Sequence, residues 1–286
     1  MKRISIKSAV SVASAEMAFF IKSPKMILIP VFFCYLYSLA VTPLREVASL
    51  MGGKLNILEG FVSICNSNLV CLLVAFVFLV LMSAYPEVRG NTLFFLPRCG
   101  KTNWIVGQVL FLASSAALYM FAVAAFSLLA FVGSAQTGSD WSNASLLFHS
   151  THPELISSAG ANMLTPIIYS QMAPLPAFIH TFFLLYGHLL LLCGIMLLFT
   201  VLNRKKLGFV VVYGFFILGI VFSVLGNSGR WAFGVSHAIL RLHYHLYLRK
   251  PVMPLWGSYL YEYGIFMVLC MIALLRSKNF KTEVKI

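Results

Sequence analysis

Apolar positions along this chain run in unbroken stretches instead of alternating. Residues 26–41, 69–85, 104–131, 177–202, 207–225 and 258–275 form six such stretches, each at least 16 residues long. None contains Lys, Arg or Asp, and Glu262 is the one acidic residue among them. A bilayer core about 30 Å thick takes roughly 20 helical residues to cross. The pattern therefore predicts an all-α, polytopic transmembrane helical bundle of six spans. Ahead of the first span the period changes. Ile6, Val10, Ala13, Met17 and Phe20 recur at spacings of three and four, with Lys7, Ser11 and Ser14 on another side. This predicts an amphipathic helix lying in the headgroup layer. The chain divides into an interfacial helix (1–25), the six-span bundle (26–275) and a tail (276–286).

Composition agrees. Apolar residues make up 60% of the 286 positions and charged residues 10%, against about 25% charged in soluble domains. Trp104, Trp141, Trp231 and Trp256 sit near segment ends, where interfacial anchors belong. The net charge of +13 does not indicate nucleic acid, because the cations lie at the edges of the apolar stretches and not along one soluble face. They also attract anionic lipid. Fifteen Lys and Arg fall in the N-terminus, the second and fourth loops and the C-terminus, and six in the other loops. The positive-inside rule then puts both termini in the cytoplasm. The fifth loop fits badly, since it carries Arg230, Arg241, Arg249 and Lys250. Either it holds re-entrant or interfacial helices, or the span count differs there. The third loop, 132–176, has no Lys or Arg and is expected outside, with a short helix near 163–169.

Candidate chemistry is sparse. Gly100-Lys101-Thr102 looks like the end of a phosphate-binding loop, but Phe95 occupies the position where that motif needs its first Gly. The chain is not expected to be an ATP-hydrolysing enzyme. Seven histidines, among them the spaced pairs His149/His152 and His243/His245, do not form a metal-ligand motif, so no metal site is expected. Six scattered cysteines contain no CxxC pair and are expected as free thiols. Glu262 and His188 lie inside apolar stretches. Such residues are candidates for function by default. Glu262 has two readings: structural pairing with water or a fifth-loop Arg, or a part in substrate passage. His188 is either a packing residue or a proton relay. The second loop, PEVRGNTLFFLPRCGKTN at 86–103, mixes charge with the apolar run Leu93, Phe94, Phe95 and Leu96. It can pack on the bilayer or dock on a partner.

Residues 58–112 resemble the permeases of bacterial export-type ABC transporters. The resemblance rests on Glu59 in a segment before a span, Pro86-Glu87 at the end of that span, a short loop closing on Arg98-Cys99-Gly100-Lys101, and Trp104 and Gly107-Gln108 opening the next span. The tight turn Asn203-Arg204-Lys205-Lys206 and a long loop ending near Pro174 and Pro176 also fit that layout. The rather short, aromatic-rich last span departs from it. The resemblance implies a cytoplasmic coupling helix in the second loop and a second permease chain, in a homo- or heterodimer. It also implies a separate ABC ATPase subunit that binds the ATP. Glu87, Arg89, Leu93, Phe94, Phe95, Leu96, Arg98 and Lys101 would then contact the ATPase, with the apolar four as plug and Arg89 and Arg98 as ionic contacts. The implied location is the bacterial cell membrane. The implied cargo is a hydrophobic or amphipathic molecule, such as a peptide antibiotic; Glu262 and His188, from their place inside apolar stretches, are the candidate residues of its pathway. Two other classes compatible with the residues are a non-transporting membrane scaffold and an intramembrane enzyme.

Overall fold

The computed structural model describes residues 5–85, 96, 98–226, 228–245 and 251–279. Among them, helices are nearly everything. α1 is Ile6–Ile21 and α2 is the 27-residue Pro24–Leu50. α3 (Ile57–Asn66) and α4 (Asn68–Met82) follow, and then the 30-residue α5 (Lys101–Ala130). A long loop carries α6 (Asn143–Thr151), α7 (Ala159–Met163) and α8 (Pro166–Tyr169). α9 (Pro174–Val201), α10 (Lys205–Leu225), the short α11 (Gly234–Ala238) and α12 (Leu255–Leu275) complete the bundle. Two residue pairs, Leu55–Asn56 and Ala135–Gln136, form a minimal parallel sheet.

Five helices are long and apolar enough to cross a membrane: α2, α5, α9, α10 and α12. The count becomes six if α3 and α4 together make one bent span. Here the structure departs from the unbroken second span read at 69–85. The straight helix has only 15 residues, about 22 Å at 1.5 Å per residue. It is preceded by a fully packed helix set at 81° to it. Ser67, extended at φ −68° and ψ 128°, makes the break.

α9 is the centre of the bundle. Within its apolar window 78% of residues are buried, against 22% for the peripheral α10. Val210, Val224, Leu260 and Met271 point outward with more than half their surface open. Such continuous apolar surface suits lipid and is costly in water. α2 is not regular. Pro43 has no N–H to give, and the turn before it, Tyr37–Val41, widens to a π-helix. Arg45 beyond it donates to the Tyr37 hydroxyl at 2.9 Å and to the Ala130 carbonyl at the end of α5. At the opposite end of the bundle Lys25 reaches Ser83 and Lys205 reaches the Ala84 carbonyl, 2.8 Å away. Both cations thus sit at the negative C-terminal end of the α4 dipole.

The N-terminal helix exists, but it is held by protein as well as by an apolar outer face. Ala9, Val12 and Phe20 bury against α5, where Gly107 admits Val12. Ser5 N–H bonds Asn103 at 2.9 Å, and Gln108 bonds Glu16 at 3.0 Å. Ile6 and Val10, from the face assigned to lipid, are open.

Candidate functional site

The misfitting fifth loop folds back into the bundle. Gly234, Val235, Ser236, His237, Ala238, Ile239, Leu240 and His243 are all buried. α11 packs on α9, α10 and α12. The backbone of this loop meets the break in the α3–α4 pair. Asn66, the last residue of α3, accepts a hydrogen bond from Arg241 N–H at 3.1 Å. Its amide donates to the Thr181 hydroxyl on α9 at 2.9 Å and to the Val62 carbonyl at 2.9 Å. One side chain therefore joins two interrupted segments to the central helix.

Directly under the loop lie the two intramembrane candidates. His188 comes from the middle of α9 and Glu262 from the second turn of α12. Sequence reasoning raised them separately, and the structure places them together, Nδ1 to Oε1 at 3.3 Å. Both are closed to solvent, 1% and 0% exposed. The neighbour the structure gives Glu262 is therefore a histidine of α9 and not an Arg of the fifth loop. The helices can approach because Gly187 and Gly194 lie one above the other on α9. A Cβ on Gly187 would meet Tyr263 at 2.9 Å, and one on Gly194 would meet Phe266 at 2.9 Å. The loop closes the pair from above at Gly234, where a Cβ would fall 2.6 Å from His188 Nδ1 and 3.0 Å from Glu262 Oε1.

The pair is poorly furnished. Among the described residues, neither Glu262 oxygen and neither His188 nitrogen has a well-aligned hydrogen-bond partner. A net charge on either buried group, left without its neighbour, would be costly.

Beside it is a second polar cluster that sequence reasoning missed. Ser258, one turn before Glu262 on α12, stands between His237 Nδ1 and His243 Nε2, each 2.7 Å from its hydroxyl oxygen. His237 and His243 are among the seven histidines for which the sequence offers no metal-ligand motif. No group of three or more His, Cys, Asp or Glu side chains is placed to hold a metal among the described residues. The tyrosines around Glu262 radiate away from it. Tyr259 pairs with His180 at 2.8 Å, Tyr261 donates to the Ala232 carbonyl at 2.7 Å, and Tyr263 donates to the Phe183 carbonyl at 2.8 Å. The signal for this site was the apolar run 231–240 inside a loop, broken only by Gly234, Ser236 and His237.

Of the residues assigned to ATPase coupling, Glu87, Arg89, Leu93, Phe94 and Phe95 lie outside the described residues. Leu96 is buried at 7% exposure, so it packs into the bundle and does not stand out as part of an exposed plug. Arg98 and Lys101 are exposed at the basic end of α5. The chain matches no protein family, no curated protein and no solved structure.

Proposed function

We propose that this chain is the six-span membrane permease subunit of an ABC exporter. In this reading it moves a hydrophobic or amphipathic molecule across a bacterial cell membrane, driven by ATP hydrolysis in a separate subunit. The observation that carries the transport reading is the meeting of two interrupted segments over the buried His188–Glu262 pair. Irregular backbone at membrane depth is tolerated where it is buried in protein or lines a pathway. Transporters place substrate sites where broken helices face each other. The re-entering loop would be the outer closure, and the basic end of the bundle, with Arg98 and Lys101, would face the cytoplasm.

The ATPase reading rests on the resemblance of residues 58–112 and on the exposed cations that close the 86–103 segment. Glu87, Arg89, Leu93, Phe94, Phe95, Arg98 and Lys101 would meet the ATPase. Leu96 would instead anchor the segment to the bundle, next to α5. A second permease chain would complete the transporter.

Co-purification from the native host tests this. An ATPase chain should come down with the tagged full-length protein, and deletion of residues 93–96 should abolish its recovery while leaving the permease in the membrane. Purification without any ATPase would remove the energy source on which the reading depends. Recovery undiminished by the deletion would move the docking site elsewhere.

A further inference from the structure

The two imidazoles flanking Ser258 are one hydrogen short. His237 Nε2 lies 2.9 Å from the Trp231 carbonyl and His243 Nδ1 lies 3.1 Å from the Ile239 carbonyl. A carbonyl only accepts, so each of those nitrogens carries its ring's hydrogen. A neutral imidazole has no second one. The inner nitrogens, His237 Nδ1 and His243 Nε2, are then both bare, and both face the same hydroxyl at 2.7 Å. Ser258 has one hydrogen and can give it to one of them. The other contact would set lone pair against lone pair at hydrogen-bonding distance. Four contacts need four hydrogens, and two neutral imidazoles and a hydroxyl bring three.

We propose that His237, Ser258 and His243 form a proton-binding site that takes up one proton for the two rings and so clamps the re-entering loop onto α12. With the extra proton on His237, its Nδ1–H donates to Ser258 and the hydroxyl donates to His243. If the proton sits on His243, the hydroxyl turns and donates to His237. The charge passes between the rings through the hydroxyl: His237 gives its Nδ1 proton to the serine oxygen as the serine gives its own hydrogen to His243 Nε2, so that one N–H and one O–H bond break while one O–H and one N–H bond form. A second proton is refused, because the serine hydrogen would lose its acceptor and two cations would face each other across one oxygen.

A second observation points to positive charge in the same place. The Tyr261 ring stacks on His237 with centroids 4.1 Å apart and planes 16° apart. The Trp231 ring stands 5.2 Å from His237 and 5.3 Å from His243. Aromatic rings within about 6 Å of a cation attract it through their quadrupoles.

Opposing forces set the range of pH over which the site loads. Burial pushes His237 down and His243 down to about 4. The titratable and charged groups around the cluster are His180 and His188 from α9, Glu262, Tyr259 and Tyr261 from α12, Cys71 from α4, and Arg230 and Arg241 from the loop itself. His188 and Arg230 disfavour the proton. The completed hydrogen-bond chain and the two aromatic rings favour it. This inference does not depend on the ATPase-coupled reading, since the purified chain alone contains every group.

The test is nitrogen NMR of the full-length chain, labelled at histidine and held in lipid vesicles, with signals assigned through His237→Gln and His243→Gln variants. At about pH 6, close to the ordinary histidine range, the two rings together should carry one extra proton, held more on His237 than on His243, with no further uptake down to about pH 4. Ser258→Ala should abolish that shared state and leave both rings neutral at about pH 6, and Ser258→Thr should keep it. In the His243→Gln variant, a neutral amide supplies the missing hydrogen, so His237 should stay neutral at the same pH. Two rings that charge independently, two rings neutral throughout, or a titration unchanged in both Ser258→Ala and His243→Gln would each overturn the proposal.

Discussion

Two buried carboxylates show how differently this bundle treats the same group. Glu59, at the start of α3, is 1% exposed and surrounded by donors. It accepts from Asn56 N–H at 3.0 Å, the Ser142 hydroxyl at 2.7 Å, the Ser145 hydroxyl at 2.9 Å and the Ser142 N–H. With Asn56 it completes a capping box on α3. Glu262 is equally buried, yet it has one neighbour at 3.3 Å and no well-aligned bond among the described residues. The first is a knot that ties the 132–146 loop to a helix end. The second is kept under-satisfied, and a fold that can surround one carboxylate with four donors has left the other exposed to any change in its neighbours. Burial alone therefore does not mark a site.

Substitutions can break that contrast. The largest effect is expected for Glu59→Ala, which strands the Ser142, Ser145 and Asn56 donors. It should lower stability by about 3–5 kcal/mol, read as loss of folded protein in thermal unfolding in lipid nanodiscs. Gly234→Ala comes next. Its Cβ would drive into the His188–Glu262 pair, and a cost of about 1–3 kcal/mol should appear together with faster hydrogen exchange across residues 234–243. Glu262→Gln should be mildest in stability, within about 1 kcal/mol, because no well-formed bond is lost. If the chain is the proposed permease, the same substitution should nonetheless cut transport sharply. If Glu262→Gln unfolded the protein as readily as Glu59→Ala, the two carboxylates would be alike and the contrast would fail.

The spans were legible because an unbroken apolar run has one stable meaning in lipid. The bent pair was not. Residues 57–66 carry Glu59, Gly60 and Ser63 and read as a segment outside the bundle, whereas in the structure the whole stretch from Glu59 to Asn66 is buried. Their burial depends on α5 and α9, which lie far off in sequence. His188 and Glu262 stood out singly as polar residues in apolar surroundings. Their pairing needed the close approach permitted by Gly187 and Gly194, and a single small residue carries no such message. Ser258 was invisible because a serine near a span end is ordinary. Only the folded loop reveals that two histidines converge on it. The charge misfit of that loop left re-entrant or interfacial helices as one reading, but it could not say that the loop would pack against α9, α10 and α12.

The sidedness of the basic end tests the central claim most directly. Cys99 is half-exposed beside Arg98 in the segment assigned to the ATPase, and Ser157 is exposed in the loop at the opposite end. A membrane-impermeant thiol reagent applied to intact cells should label Ser157→Cys at once. Cys99 should be labelled only after permeabilisation, with Cys99→Ser as the control. Labelling of Cys99 from outside in intact cells would put that segment on the wrong face for any cytoplasmic ATPase and contradict the account.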